Sequence, residues 1–233
     1  MAVVLLARTS QRNLQPDPDG GAWLENDQYI GIYELYLNVV LSQLLVVGVI
    51  IGLLWITVVP ADAMGSLITD DGHLLVGIGI VLGVGLYLAN ELSVFLLDRL
   101  GIDYSEALRG SLAPASPAGW FILLVIVLPV IAVAEELLFR AVLIGGLAAS
   151  IGIDPWILII LSSVVFSLGH GIQGTGGIIV TGGLGIVLGV AFVLSQSLLL
   201  VIVAHYVVNA LEFVINEGLS MSWISTSSHK SRG

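Results

Sequence analysis

Six polar side chains in the second half of the chain have types and spacings that could support chemistry. They are Glu135, Glu136, Arg140, His170, His205 and Asn209. Each lies within an apolar stretch of sequence, and an ionisable side chain is costly to place in hydrocarbon. Such residues in a membrane segment are therefore functional candidates by default.

The first group of these residues combines two carboxylates with one guanidinium. Glu136 and Arg140 are spaced i, i+4, so both side chains lie on one helix face and can form an ion pair. Glu135 lies one position earlier, rotated by about 100° around the helix axis. It lacks that partner, which favours it as a general base. The open alternative is a buried ion cluster of all three charges that braces a helical bundle.

The other two groups supply imidazoles and an amide. His205 and Asn209 are also spaced i, i+4, so two hydrogen-bond donors point to the same side of a helix. Isolated, this pair could equally form an interhelical hydrogen bond, and a lone His170 could have a structural role. Together, a base, a second polarising group and two donors on different helices are the parts needed to hydrolyse an amide.

Three further polar residues lie in predicted helices without an obvious chemical partner. They are Asn90, Glu91 and Glu212, for which we expect helix-end or packing roles. Serine chemistry is disfavoured, because no serine has a companion base at a plausible spacing.

The elements that must position these side chains are predicted to be transmembrane helices. The chain is 57% hydrophobic and only 10% charged, whereas soluble domains carry about 25% charged residues. We therefore expect an all-α, polytopic transmembrane bundle of about six spans, with five to eight possible, in a multi-pass protein of the cell membrane. The predicted spans are Tyr36–Val59, Leu74–Leu97, Trp120–Leu147, Trp156–Gly171, Gly177–Leu194 and Ser197–Ile215.

The distribution of basic residues predicts the orientation of the bundle. With six spans, all extramembrane lysines and arginines fall on one side, which by the positive-inside rule is the cytoplasm. Both termini are therefore expected to be cytoplasmic. We predict a polar leader at 1–28, two N-terminal spans within 29–100, a cytoplasmic connector at 101–118 with one surface helix at Tyr104–Arg109, a catalytic core at 119–216 and a flexible tail at 217–233.

Composition also restricts the partners and surroundings of the protein. The chain has no cysteine, which excludes disulfides, thiolate nucleophiles and cysteine-bound metals. Its net charge of -10 argues against nucleic acid as a partner and is typical of proteins in high salt, as in halophilic archaea. Glycine pairs at i, i+4 predict close helix packing at three places: Gly48/Gly52, Gly79/Gly83 and Gly185/Gly189.

The three groups in this order resemble the motifs of the CPBP intramembrane protease family. Glu135-Glu136-xxx-Arg140, Phe166-xxx-His170 and His205-xxx-Asn209 carry the resemblance, which covers about Gly119 to Ile215. That family comprises CAAX prenyl proteases and bacteriocin-processing or self-immunity proteins. The resemblance implies an endopeptidase that cleaves a membrane protein or lipidated peptide within the bilayer. It further implies that Glu135 activates water with help from His170, that His205 and Asn209 form the oxyanion hole, and that Glu136 and Arg140 position the site.

Several alternatives stay open at the level of sequence. We favour a metal-free mechanism without a cofactor, but Glu135, His170 and His205 could instead be three zinc ligands. A catalytically silent scaffold or immunity protein, or a proton-coupled carrier, would also place ionisable groups in these helices.

The predicted spans also contain a geometric difficulty. Straight, upright spans would place Glu135 about 24 Å from the cytoplasmic end and His170 close to that end. We therefore expect the third span to be tilted and shifted, or broken near Pro129.

Overall fold

The computed structural model describes residues 14–16, 23–25, 28–57, 59–67 and 70–219. Within these described residues, three short strands form an antiparallel sheet in the order β1-β2-β3, and seven helices follow. The strands are β1 Leu14–Pro16, β2 Trp23–Glu25 and β3 Gln28–Ile30. The helices are α1 Ile32–Ile56, α2 Gly72–Arg99, α3 Ala107–Leu112, α4 Pro117–Ile151, α5 Pro155–Gly169, α6 Gly174–Ser195 and α7 Leu198–Gly218. Short 3-10 turns at Ala61–Met64 and Gly171–Gln173 precede α2 and α6.

Among the described residues, five helices are long and apolar enough to cross a membrane, and α5 is a sixth, shorter apolar helix. The predicted helical fold and its range of five to eight spans are confirmed, and the protein is a multi-pass membrane protein. The side on which the termini lie and the division into segments stay predictions. Much of the predicted leader, and residues 220–233 of the predicted tail, lie outside the described residues.

Helix α4 does not break at Pro129, although a break there was one of the two solutions expected. It runs over 35 residues, about 52 Å at the usual rise. The turn before the proline is π-helical over Leu123–Val127, and the Leu128 N–H bonds the Leu123 carbonyl. This wider turn accommodates a residue that has no N–H to donate.

Glu135 and His170 lie at the same depth in the bundle because helix α5 is short. This helix has only 15 residues, so His170 lies about 22 Å along the chain direction from its start. Glu135 lies about 24 Å from the end of α4 at Ile151, from which the chain turns back into α5. The two residues therefore reach the same level, which the assumption of straight, upright spans had excluded.

Helices α2 and α7 form a closely packed parallel pair. Their starts are joined by a parallel bridge between Ser66 and Ser197, in which the Ser66 N–H bonds the Gln196 carbonyl at 2.9 Å. A Cβ added at Gly83 would lie only 2.6 Å from the Cβ of Val207. Because the helices are in contact at this glycine, their register is fixed along the length that leads to the site.

The glycine pairs do not all pack as the sequence predicted. Gly185 faces Ser163 and Gly189 faces Ile159, so this pair brings α6 against α5. Gly48 and Gly52 have no neighbour within 4 Å beyond their own helix. For this pair the prediction is wrong, because no helix in the described part of the chain packs on that face of α1.

The connector between α2 and α4 folds against the bundle. Its helix α3 begins at Ala107, three residues later than the predicted start at Tyr104. The preceding residues are held extended by α6, since the Ser105 N–H bonds the Gln173 carbonyl at 3.0 Å and the Gly176 N–H bonds the Asp103 carbonyl at 2.8 Å. The second bond occupies the Asp103 carbonyl, which would accept the first intrahelical bond of a helix that started at Tyr104.

Candidate active site

The ion pair predicted between Glu136 and Arg140 is present and fully buried. Arg140 Nη1 donates to Glu136 Oε1 at 2.8 Å, and the two side chains are 1% and 0% exposed. Arg140 Nη2 also donates to the Gly185 carbonyl of α6 at 3.2 Å. The guanidinium further lies 5.2 Å from the ring centre of Phe166. Arg140 therefore ties α4 to α5 and α6 at the level of the site.

His205 connects the ion pair to the neighbouring carboxylate. Its Nδ1 lies 2.6 Å from Glu136 Oε1, and its Nε2 lies 3.7 Å from Glu135 Oε2. The Glu136 carboxylate is paired with Arg140, so it is ionised and can only accept hydrogen bonds. Nδ1–H of His205 therefore donates to Glu136. That bond fixes the orientation of the imidazole ring and leaves Nε2 directed toward Glu135.

His170 is oriented by its own helix. Its Nδ1 lies 2.9 Å from the Phe166 carbonyl, which can only accept, so Nδ1 carries the proton. Its ring packs 4.6 Å from that of Phe166, which in turn lies 6.1 Å from the ring of His205. Phe166 therefore separates and supports both imidazoles, and the remaining nitrogen of His170, Nε2, is free for chemistry.

One cavity of about 110 Å³ joins the predicted residues. Glu135 from α4, His170 after α5, and His205 and Asn209 from α7 all line it, whereas Glu136 and Arg140 lie behind its wall. Glu135 is 14% exposed, so its carboxylate is accessible from the cavity. The structure thus brings together four polar groups that are separated by up to 74 positions in sequence.

Two polar residues that we expected to serve in packing also line this cavity. Asn90 from α2 donates a short hydrogen bond through Nδ2 to Glu212 Oε1. Glu212 follows His205 by seven positions and Asn209 by three, so all three lie on one face of α7. That spacing was the signal in the sequence that could have assigned Glu212 to the site. Glu91 has the expected packing role, because its Oε1 accepts from Asn216 Nδ2 at 2.9 Å.

The connector covers the same cavity from the end of the bundle. Tyr104 of the connector lines the cavity, together with Gln173 from the turn before α6. Burial raises the pKa of the Tyr104 phenol. Arg109 holds the connector to α7 by donating from Nε to Glu217 at 2.9 Å, and its Nη2 lies 2.9 Å from Glu106. Burial alone would lower the pKa of Arg109. The hydrogen bonds and negative charges of these carboxylates have the larger combined effect, so the pKa is raised. The guanidinium therefore stays charged and keeps the connector in place.

The preference for a metal-free site over zinc ligation by Glu135, His170 and His205 stays a prediction. Within the part of the chain that the structure describes, no group of three or more histidine, aspartate or glutamate side chains is arranged to hold a metal ion. We therefore derive no step through a metal from Glu135, His170 and His205.

The second half of the chain matches a known family. Residues 117–211 match the family described as type II CAAX prenyl endopeptidase Rce1-like. No curated protein and no solved structure matches the chain. The matched segment begins at the start of α4, ends within α7 and contains all six candidate residues. The chain therefore resembles this family over residues 117–211, which confirms the resemblance predicted from the three motifs.

Proposed function

We propose that the protein is an intramembrane endopeptidase that hydrolyses a peptide bond of a membrane-associated or lipidated protein. The observation that carries this proposal is the convergence of Glu135, His170, His205 and Asn209 on one cavity inside an apolar bundle. The Rce1-like family supports a CAAX-type endopeptidase at the level of the family.

In the proposed reaction, Glu135 activates a water molecule. Its carboxylate takes one proton while the water oxygen bonds to the carbonyl carbon of the substrate. Nε2 of His170 is a second acceptor on the cavity wall, because Nδ1 is already bonded to the Phe166 carbonyl. His170 can therefore orient the attacking water or share its proton. The C–N bond then breaks, and the proton returns to the leaving amine.

In the same reaction, His205 and Asn209 stabilise the oxyanion. The Asn209 amide donates through Nδ2, and His205 donates through Nε2. Since His205 already donates from Nδ1 to Glu136, its ring must carry both protons to perform this role. Glu136 and Glu135 are the two carboxylates that face those protons. Glu136, held by Arg140, is therefore a positioning residue for the oxyanion donor.

The experiment that tests this function compares full-length wild type with Glu135→Gln, both reconstituted with membrane proteins of the host. New peptide termini are identified by mass spectrometry. We expect termini that depend on wild type and vanish in Glu135→Gln. The control is Glu34→Gln, which removes an exposed carboxylate at the start of α1.

Two other outcomes would favour the alternative functions. Equal termini in wild type and Glu135→Gln, with both proteins folded, would favour a catalytically silent scaffold. Proton flux through liposomes without cleavage would favour a carrier.

A further inference from the structure

Gln173 lines the cavity but has no part in the proposed reaction. It ends the 3-10 turn that follows His170, and its N–H bonds the His170 carbonyl at 3.0 Å. Gln173 therefore lies one turn along the chain from the imidazole proposed to orient the attacking water. The Oε1 atom of Gln173 is buried and has no hydrogen-bond partner among the described residues. Because a buried acceptor is costly to leave unpaired, Oε1 is a binding point for a donor that enters the cavity.

Gly177 gives the Gln173 side chain room against the first turn of α6. A Cβ added at Gly177 would overlap the Cβ of Gln173 and would lie 3.1 Å from its Oε1. The overlap involves the root of the side chain rather than its flexible end, so a larger residue at position 177 would have to push Gln173 aside. The connector holds the backbone at the same place, since the Ser105 N–H bonds the Gln173 carbonyl at 3.0 Å.

The backbone acceptors next to Gln173 are already in use. The Phe166 carbonyl accepts from Nδ1 of His170. The His170 carbonyl accepts from the Gln173 N–H, and the Gln173 carbonyl accepts from the Ser105 N–H. An extended peptide brings one backbone N–H per residue into the cavity, and each N–H that leaves water needs an acceptor. The side-chain oxygen of Gln173 is an acceptor on this wall that no described residue occupies.

We propose that Gln173 is a substrate-binding residue whose Oε1 accepts a hydrogen bond from a backbone N–H of the peptide, close to the bond that is cleaved. This inference rests on the proposed peptidase function. The bond fixes the register of the peptide beside Glu135. The Gln173 amide is neutral, so it adds no charge to a cavity that already contains Glu135, Glu212 and the doubly protonated His205. It therefore recognises the peptide backbone, which every substrate carries, rather than a charged side chain.

The test removes the donor and the acceptor separately and then together. Peptides are synthesised around a cut site identified with the wild-type protein, and each amide except the cleaved one is replaced in turn by an ester, which lacks the N–H. The full-length protein in liposomes cleaves each peptide, and kcat/KM is measured for wild type and for Gln173→Met, whose side chain has a similar length but no amide. We expect one ester position to lower kcat/KM of wild type by about tenfold, the effect of one hydrogen bond.

The same hydrogen bond should be missing from two variants. Gln173→Met should cleave the unmodified peptide about tenfold less well than wild type, and the ester at the sensitive position should cause no further loss. Gly177→Ala, which displaces Gln173, should show the same insensitivity. The matched control is Gly183→Ala on the same helix, where an added Cβ has no neighbour within 4 Å, and it should behave as wild type.

The outcomes separate this inference from the proposed function. A wild-type protein without a sensitive ester position, or equal ester effects in wild type and Gln173→Met, overturns the role of Gln173 and leaves the peptidase intact. If Gln173→Met does not fold, Gly177→Ala gives the same comparison, and the ester series in wild type can refute the role by itself. A wild-type protein that produces no more cuts than Glu135→Gln overturns the peptidase function, and the substrate-binding role with it.

Discussion

Replacing Gly83 with alanine tests whether the contact of α2 with α7 positions the site. An added Cβ would lie 2.6 Å from the Val207 Cβ and 2.7 Å from the Ala204 carbonyl oxygen. Both separations are shorter than van der Waals contact, and one involves backbone, so the helices must move apart. Because Asn90 lies on the same helix as Gly83 and bonds Glu212 across this interface, the cavity should change with it.

The expected magnitude comes from a comparison with Gly85 on the same helix. Gly85 has no neighbour within 4 Å beyond its own helix, so alanine there should stabilise by about 0.4–1 kcal/mol through backbone entropy. At Gly83 the same gain is opposed by overpacking that costs about 1–3 kcal/mol. We expect Gly83→Ala to be less stable than Gly85→Ala by about 1–3 kcal/mol, which corresponds to about 2–12 °C in Tm for a chain of this size.

Thermal unfolding of the two variants in the same detergent measures this difference, and peptide cleavage measures its effect on the site. We expect Gly85→Ala to keep wild-type cleavage and Gly83→Ala to lose most of it. Equal Tm values and equal cleavage for the two variants would show that α2 and α7 are not in the contact described, and the fixed register at Asn90 would have no support.

Three further predictions concern stability and the connector. Arg140→Leu leaves Glu136 buried without its guanidinium and should cost about 3–5 kcal/mol, measured by reversible unfolding; a loss below about 1 kcal/mol would contradict the buried pair. Ser197→Ala removes the hydroxyl that accepts a bond in the first turn of α7 and should lower the free energy of unfolding by about 1 kcal/mol, and an unchanged value would argue against that cap. Arg109→Ala breaks the bond to Glu217 and should speed limited proteolysis of the connector, whereas unchanged cleavage would mean that this arginine does not hold it.

The features that the sequence predicted correctly depend on local spacing or composition. The apolar runs are long enough to identify spans without tertiary information. The pair of Glu136 with Arg140 is set by one turn of a helix, which is why its geometry could be predicted from positions i and i+4. The same rule separated Glu135 from that pair, and the structure has Glu135 near His205 instead.

The features that the sequence did not predict depend on the register between distant helices. Glu212 bonds Asn90, which lies 122 positions earlier in the chain. Neither segment of sequence indicates which turn of α2 packs against which turn of α7. That register is set by Gly79 and Gly83, whose pairing partners cannot be read from one sequence. The sequence also did not predict that His170 lies at the depth of Glu135. An apolar run of 15 residues does not indicate where in the bundle its helix ends.

The central claim is that Glu135 activates water for amide cleavage among groups from three helices. The most direct measurement is the cleavage rate of purified, full-length Glu135→Gln in liposomes, beside wild type and Glu34→Gln, with a peptide identified from the wild-type cut sites. Loss of a general base should slow cleavage by about 10²–10⁴-fold, with unfolding unchanged and Glu34→Gln equal to wild type. Cleavage by folded Glu135→Gln within a few fold of wild type would contradict the claim.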